Sequence, residues 1–425
     1  MRARRLSAVV LAFVLALAVF TATRGDERAA AGPPRVGPGA LAIRPAADTD
    51  ARIASLQADV RAGRTGSAAA LAAAYLQKVR ETGDAGFYAR AQGAVDRALA
   101  LRPDDAGALT ARSALELSRH DFEAGLRDAL RARALAPAVI QPFGAVVDAL
   151  VELGRYLQAE KALQEMVDRK PNLAAYARVS YFRELHGDLD GALAAMGAAV
   201  SAGGAVPEQD AYVRALLGGL ELQKGHVAAA VRQYREALQA VPGYPAAEAG
   251  VAQADVARER LTAAIARLQR VVDRLPLPGY VIALGEAQAA AGQRAAAAQT
   301  FALVRVETTL QQRAGVNADV ELALFEADHG SPRRAVALGR RAWAAAPSVR
   351  SADALGWALQ RAGHSRAALG WARRALALGS RDPAFLTHAG LIARSAGEPR
   401  LAARRLAGAR AGRAALGAGL RGALR

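Results

Sequence analysis

Short motifs that could do chemistry occur at three places, and each lacks the context that its chemistry needs. Gly417, Gly419 and Gly422 form the G-x-G-x-x-G pattern of dinucleotide-binding loops, but no strand precedes them. Residues 363–365 (Gly-His-Ser) resemble part of a nucleophile elbow, yet they lie in a helix–helix turn. Residues 188–191 start like a calcium loop without its remaining ligands. We therefore predict a protein that is not an enzyme, with no catalytic residue, no metal site and no cofactor.

Histidines recur near the predicted turns between helices. They are His120, His186, His226, His329 and His364. Stacked turns would bring such side chains to one edge, where a metal-binding or pH-sensing function is conceivable because imidazole titrates near neutrality. The alternative, which we favour, is that exposed turns simply accept polar residues.

The elements that must position any site are best seen in the stretch Ala211 to Pro242. Gly218 allows a neighbouring helix to approach a first helix closely, and Gly225 ends that helix because glycine tolerates the left-handed conformation. Tyr234 lies on one face of a second helix, which Pro242 stops. The stretch therefore predicts a helix–turn–helix unit.

This unit recurs along the chain. The closing prolines at 137 and 171, and again at 242 and 276, are 34 residues apart. Turn glycines recur at positions 154, 187, 225, 292, 330, 363 and 397, and the last three are 33 and 34 residues apart. A helix–turn–helix unit with this period resembles the tetratricopeptide repeat (TPR) family, over roughly residues 68–411. The resemblance implies an all-α, superhelical α/α solenoid of about ten helix–turn–helix repeats.

The ends of the chain differ from the repeats. Residues 1–24 have an arginine-rich start and a 15-residue apolar run from 6 to 20, which predicts a signal peptide or an uncleaved N-terminal anchor, hence an extracytoplasmic location. A buried cytoplasmic helix is the disfavoured alternative. Residues 25–50 predict a flexible Pro/Gly linker, residues 51–67 a preliminary helix, and residues 412–425 a basic C-terminal cap or tail.

Composition limits the function classes further. The formal net charge is +17, but only four of the 56 basic residues are lysines, so a biased coding composition accounts for the excess as well as an anion-binding surface does. The chain has no cysteine, which excludes disulfides, thiolate metal sites and cysteine nucleophiles.

The resemblance also implies where a ligand would bind, namely in the concave groove lined by the first helices. The groove positions of the family correspond here to Asp148, Glu152, Tyr181, Glu184, Tyr212, Gln253, Glu286, Asp353 and Trp357. Acidic walls would favour a basic or amine-bearing peptide, with the aromatic side chains as stacking anchors. The alternative is that the tyrosines and the tryptophan fill gaps between repeats.

Arginines recur on the second helices and predict a basic stripe on the convex face. Its members are Arg235, Arg270, Arg340, Arg341, Arg373 and Arg374. The sequence therefore predicts a non-catalytic protein–protein interaction scaffold that binds a peptide or partner helix in its groove. The alternative is an envelope-associated protein whose convex face docks on anionic polymer or lipid headgroups. Nucleic acid is disfavoured as a partner because aromatic residues do not alternate with the basic ones.

Overall fold

The computed structural model of the chain describes residues 45–64, 66–203 and 206–424, and this part is built from helices. Helix α1 (Pro45–Arg61) is followed by ten helical hairpins within the described ranges. The hairpins are α2/α3 (Ser67–Thr82, Gly86–Leu101), α4/α5 (Ala106–Ser118, Phe122–Leu135), α6/α7 (Gln141–Glu152, Tyr156–Arg169), α8/α9 (Leu173–Leu185, Leu189–Ala202), α10/α11 (Pro207–Gln223, Val227–Ala240), α12/α13 (Pro245–Ala257, Leu261–Arg274), α14/α15 (Pro278–Ala290, Arg294–Arg313), α16/α17 (Asp319–His329, Pro332–Ala345), α18/α19 (Val349–Arg361, Ser365–Ala375) and α20/α21 (Pro383–Ser395, Pro399–Ala411). The prediction of an all-α solenoid with about ten helix–turn–helix repeats is confirmed.

Packing within and between hairpins explains the recurring glycine of the first helix. A Cβ atom on Gly218 in α10 would lie 2.5 Å from Cε1 of Tyr234, which projects from α11. Gly250 in α12 meets the other side of the same ring, and Tyr234 is buried between the two helices. Three helices therefore pack around one aromatic side chain, and they can do so only because two of them carry no side chain at the contact.

The solenoid winds far enough for distant hairpins to touch. The backbone N–H of Asn317 donates to the carbonyl of Arg119 over 2.8 Å, and Nδ1 of His120 lies 2.7 Å from the carbonyl oxygen of Asn317. Further along the same edge, the N–H of Val349 donates to the hydroxyl of Tyr156 over 2.9 Å. The turns inside hairpins of one superhelical turn thus contact the loops before first helices of the next turn. These contacts close the concave face into an interior.

Near the N-terminus, one predicted boundary differs from the structure, namely that between the linker and the preliminary helix. Helix α1 begins at Pro45, inside the stretch predicted as linker up to residue 50, because proline is favoured in the first turn of a helix. The predicted leader (1–24) and the first part of the linker lie outside the described residues. Within the described ranges, no helix is both long enough and apolar enough to cross a membrane.

Candidate functional site

The concave side of the superhelix forms a partly open cavity of about 330 Å³. Its walls come mostly from the first helices α2, α8, α10, α12, α14, α16, α18 and α20, and from residues between 415 and 420. Six of the nine tyrosines line it: Tyr88, Tyr181, Tyr212, Tyr234, Tyr244 and Tyr280. Tyrosine combines an apolar ring with a hydroxyl group, so this wall can pack against apolar groups and still form hydrogen bonds.

Four of the residues that the sequence predicted for the groove line this cavity. Tyr181 and Glu184 come from α8, Tyr212 from α10 and Gln253 from α12. They lie on three hairpins and face one interior space. The structure therefore brings this part of the predicted groove together, and ligand binding by these residues stays a prediction.

Two other predicted groove residues lie in ion pairs between adjacent first helices. Asp148 of α6 accepts hydrogen bonds from the guanidinium of Arg178 in α8, at 2.8 and 2.6 Å. Asp353 of α18 lies 2.8 Å from Nδ1 of His388 in α20. Burial and this aspartate act in opposite directions on the pKa of His388, and the net effect raises it. These carboxylates contact the next repeat and do not line the cavity.

Three further predicted residues are also away from the cavity lining. Glu286 lies 3.4 Å from Nε2 of His329, and Glu152 accepts a hydrogen bond of 3.3 Å from the hydroxyl of Tyr181. Trp357 is 2% exposed, and its ring stacks on that of His388 with centroids 4.4 Å apart. Trp357 therefore fills a gap between repeats, which is the alternative that the sequence analysis left open.

The sequence analysis did not single out two cationic residues of the cavity. Arg80 lies at its wall, and its Nε and Nη1 atoms are buried without a hydrogen-bond partner among the described residues. Burial lowers the pKa of Arg80 despite the nearby carboxylate of Glu208. Arg350 lies across the cavity. Arg80 is the thirteenth residue of its repeat unit and Arg350 is the second of its unit, and both are groove positions of the family. The repeat pattern that predicted Tyr181 as a groove residue could therefore have predicted these two arginines.

The carboxyl side chains of the cavity outnumber its guanidinium groups. They are Glu184, Glu208, Glu321 and Asp382. Burial raises the pKa of Glu184 to about 7, although Gln223 donates a hydrogen bond to it. Oε2 of Glu184 has no hydrogen-bond partner among the described residues. Near neutral pH the carboxyl group of Glu184 therefore exists in two forms. The charged form accepts hydrogen bonds, and the neutral form can also donate one.

This raised pKa predicts a specific pH dependence. The folded chain favours the neutral form of Glu184, so the contribution of this residue to stability is complete below its usual pKa of 4.5 and is lost as the pH rises through about 7. Glu184→Gln should therefore stabilise the chain by about 1–3 kcal/mol at high pH and leave stability unchanged in acid. Urea denaturation at several pH values measures this, with the exposed Glu160→Gln as control. A stability difference that is constant with pH would contradict it.

The predicted basic stripe lies at the surface. All six arginines of the convex face (Arg235, Arg270, Arg340, Arg341, Arg373 and Arg374) are exposed. Arg341 forms an ion pair with Asp319, and Arg374 lies over the ring of Trp371, 4.7 Å from its centroid. Part of the stripe is therefore engaged in contacts within the chain.

Residues 412–424 lie inside the solenoid. After α21, a 3₁₀ turn (Arg413–Ala415) packs against α10 and α12, and helix α22 (Ala418–Ala423) packs against α14 and α20. Leu416 and Leu420 line the central cavity. The segment was predicted to cover the last repeat as a cap or to fray. Instead it turns inward, because the apolar wall of the cavity buries its leucines.

The described residues contain no group of three or more histidine and carboxylate side chains placed to hold a metal ion. His186, His226 and His364 are exposed, whereas the next superhelical turn packs against His120. His120 contacts Asn317, and the carbonyl oxygen of His186 lies close to Gly379.

No protein-family model and no curated protein sequence matches this chain. It is similar to a thermophilic TPR protein from Thermus thermophilus, with 24% identity, a TM-score of 0.34, and coverage of 37% of this chain and 84% of that one. It is also similar to YrrB, a TPR protein with an unusual peptide-binding site (17% identity, TM-score 0.29, coverage 43% and 92%). A third similar structure is the human IFIT1 dimer with PPP-AAAA (14% identity, TM-score 0.46, coverage 86% and 87%). At these similarities the comparisons say nothing about a ligand of this chain.

Proposed function

We propose that this chain is a non-catalytic scaffold that binds a partner protein through a peptide segment held in the central cavity. The observation that carries the proposal is that the first helices around the cavity already bind a stretch of polypeptide, residues 412–424, which forms part of the cavity wall. Nε2 of Gln253 donates to the main-chain carbonyl of Leu416 over 2.5 Å. A wall that combines tyrosine rings with a side chain that binds a main-chain carbonyl suits peptide recognition.

The charge of the cavity indicates the chemistry of the peptide. Its four carboxyl side chains favour a segment with basic side chains or a free amine. The segment that packs beside it, GRAALGAGLRGAL over residues 412–424, contains two arginines and no acidic residue. A basic, leucine-containing peptide is therefore the partner that we propose.

Filling the cavity should abolish peptide binding without unfolding the chain. Gly219 lines the cavity, and a Cβ atom at this position meets no other atom within 4 Å. Gly219→Phe should therefore occupy ligand space, while removing a helical glycine limits any loss of stability. Gly93→Phe is the matched control, because Gly93 is exposed on α3 and is equally unobstructed.

The measurement uses peptides selected from a random display library on the purified wild-type chain. We expect Gly219→Phe to weaken their binding about a hundredfold and Gly93→Phe to leave it unchanged, since filling the pocket removes most of the buried ligand surface. Equal binding to all three proteins, or a library that yields no binder, would overturn the proposal.

A second candidate function is docking on anionic polymer or lipid headgroups, supported by the six exposed arginines of the convex face. It fits the proposal that residues 1–24 export or anchor the protein. Binding to vesicles with anionic headgroups that falls steeply as salt rises, and that is equal in Gly219→Phe and the wild type, would favour this candidate.

A further inference from the structure

The C-terminal segment, residues 412–424, is positioned like a ligand. Its leucines repeat every four residues, and all three are buried: Leu416 is 2% exposed, Leu420 0% and Leu424 6%. The segment contacts helices of four different hairpins, α10, α12, α14 and α20. A cap on the last hairpin would have covered α20 and α21 instead.

Polar contacts fix the segment at both of its ends. In α12, the side chain of Gln253 donates to the carbonyl of Leu416 over 2.5 Å and to that of Ala414 over 3.3 Å. Arg421 donates to the carbonyl of Ala257, the last residue of α12, over 3.0 Å. A cation at the end of a helix satisfies a free carbonyl group and interacts favourably with the helix dipole. The segment is thus held by side chain–main chain hydrogen bonds and by a basic residue.

The conformation of the segment depends on the cavity. Helix α22 has six residues, two of which are glycine, and so short a helix is unstable alone in water. The segment follows α21 directly, so its local concentration at the cavity is on the order of millimolar. An external peptide that binds the same helix surfaces must therefore compete with the segment.

We propose that residues 412–424 are an intramolecular competitor for the peptide site, and that the partner presents leucines at four-residue spacing together with an arginine. This inference rests on the proposed function, because it names both the chemistry of the partner and the element that regulates access. In the free chain the segment holds the site, and a partner of the same chemistry replaces it.

The first test follows the exposure of Leu420 in the full-length chain. The sequence has no cysteine, so Leu420→Cys introduces a single thiol. We expect a maleimide to react with it about a hundredfold more slowly than with Leu157→Cys, whose position is 78% exposed. An excess of a synthetic peptide with the sequence of residues 412–425 should restore fast reaction. A thiol that is unprotected from the start, or one that the peptide leaves protected, would overturn the proposal.

The second test measures binding of the same labelled peptide in trans, and it holds even if the cysteine variant behaves abnormally. Leu420→Glu in the full-length chain should release the segment and raise the affinity for the peptide about tenfold or more, because the tethered competitor is lost. Leu157→Glu is the control for adding a carboxylate elsewhere, and a peptide carrying the Leu420→Glu change should not bind. Equal affinity of the wild type and Leu420→Glu would overturn the proposal.

The outcomes separate this inference from the proposed function. If library-selected peptides lose binding in Gly219→Phe but bind the wild type and Leu420→Glu equally, the scaffold function stands and the competitor is overturned. If the full-length wild-type chain forms dimers and Leu420→Glu is a monomer, the occupant is the segment of a second copy and the competitor is overturned. If no peptide binds any form, both proposals are wrong.

Discussion

Replacing Arg178 with alanine should lower the free energy of unfolding by about 3–5 kcal/mol, because it leaves the carboxylate of Asp148 buried without its counter-charge. The Arg178 side chain is 2% exposed and donates two hydrogen bonds to that carboxylate. It also donates to the carbonyl of Gly144 in α6 and to that of Ala174 in its own helix, so one side chain joins α6 and α8. Chemical denaturation monitored by circular dichroism measures the loss.

Two further variants identify the cause. Arg169→Ala removes an exposed ion pair with Glu165 on α7, a hydrogen bond to the carbonyl of Pro137 and a contact with the ring of Phe143, and should cost about 1 kcal/mol. Asp148→Leu combined with Arg178→Met should recover much of the loss, because an apolar pair needs no counter-charge. A cost of Arg178→Ala as small as that of Arg169→Ala would show that Asp148 is not held in a structural ion pair, and would return it to the candidate groove.

Replacing Gly154 with alanine should open the contact between superhelical turns. Gly154 has a φ of +70°, and a Cβ atom there would collide with the carbonyl oxygen of Pro347 in the next superhelical turn. The left-handed conformation alone costs an alanine about 1–2 kcal/mol. The collision should add about 1–3 kcal/mol, because neither backbone can move without disturbing its hairpin.

Gly363→Ala is the control that separates the two costs. It carries only the cost of the left-handed conformation, so the difference between the two variants gives the cost of the collision. Gly363 has a φ of +85° at the equivalent turn of a later hairpin, and a Cβ atom at this position meets nothing within 4 Å. Urea denaturation of both variants gives the difference in stability, and small-angle scattering shows whether the solenoid of Gly154→Ala has extended. Equal losses in the two variants would contradict the closed superhelix.

The sequence was sufficient to predict the hairpins because the signals that form them are local. Gly218 and Tyr234 are 16 positions apart, so a repeat of about 34 residues contains both members of the contact. The same local character explains why about ten units could be counted without knowing how the solenoid curves.

Closure of the superhelix could not be predicted in this way. His120 and Asn317 are 197 positions apart, and Tyr156 and Val349 are 193 apart. Such contacts depend on small rotations accumulated over several repeats, which no short motif encodes. The tyrosine-lined cavity follows from closure, so only its individual wall residues were within reach of the repeat pattern.

Residue type alone also could not separate groove residues from packing residues. Asp353 and Glu184 both lie on first helices, but a histidine of the next repeat, His388, contacts Asp353, whereas Glu184 faces the cavity. The leucine spacing of residues 412–424 posed a similar ambiguity. A capping helix and a bound peptide need the same apolar face, and only the location of the segment distinguishes them.

Hydrogen exchange of residues 412–424 in the full-length wild-type chain tests the central claim most directly, namely that the cavity is a peptide site and holds this segment. The backbone amides of Leu416, Arg421 and Leu424 donate hydrogen bonds within the segment, and these bonds persist only while it is docked. We expect exchange to be about a hundredfold or more slower than in the free peptide of residues 412–425, and to accelerate when that peptide is added in excess. Exchange as fast as in the free peptide, or slow exchange that the added peptide leaves unchanged, would contradict the account.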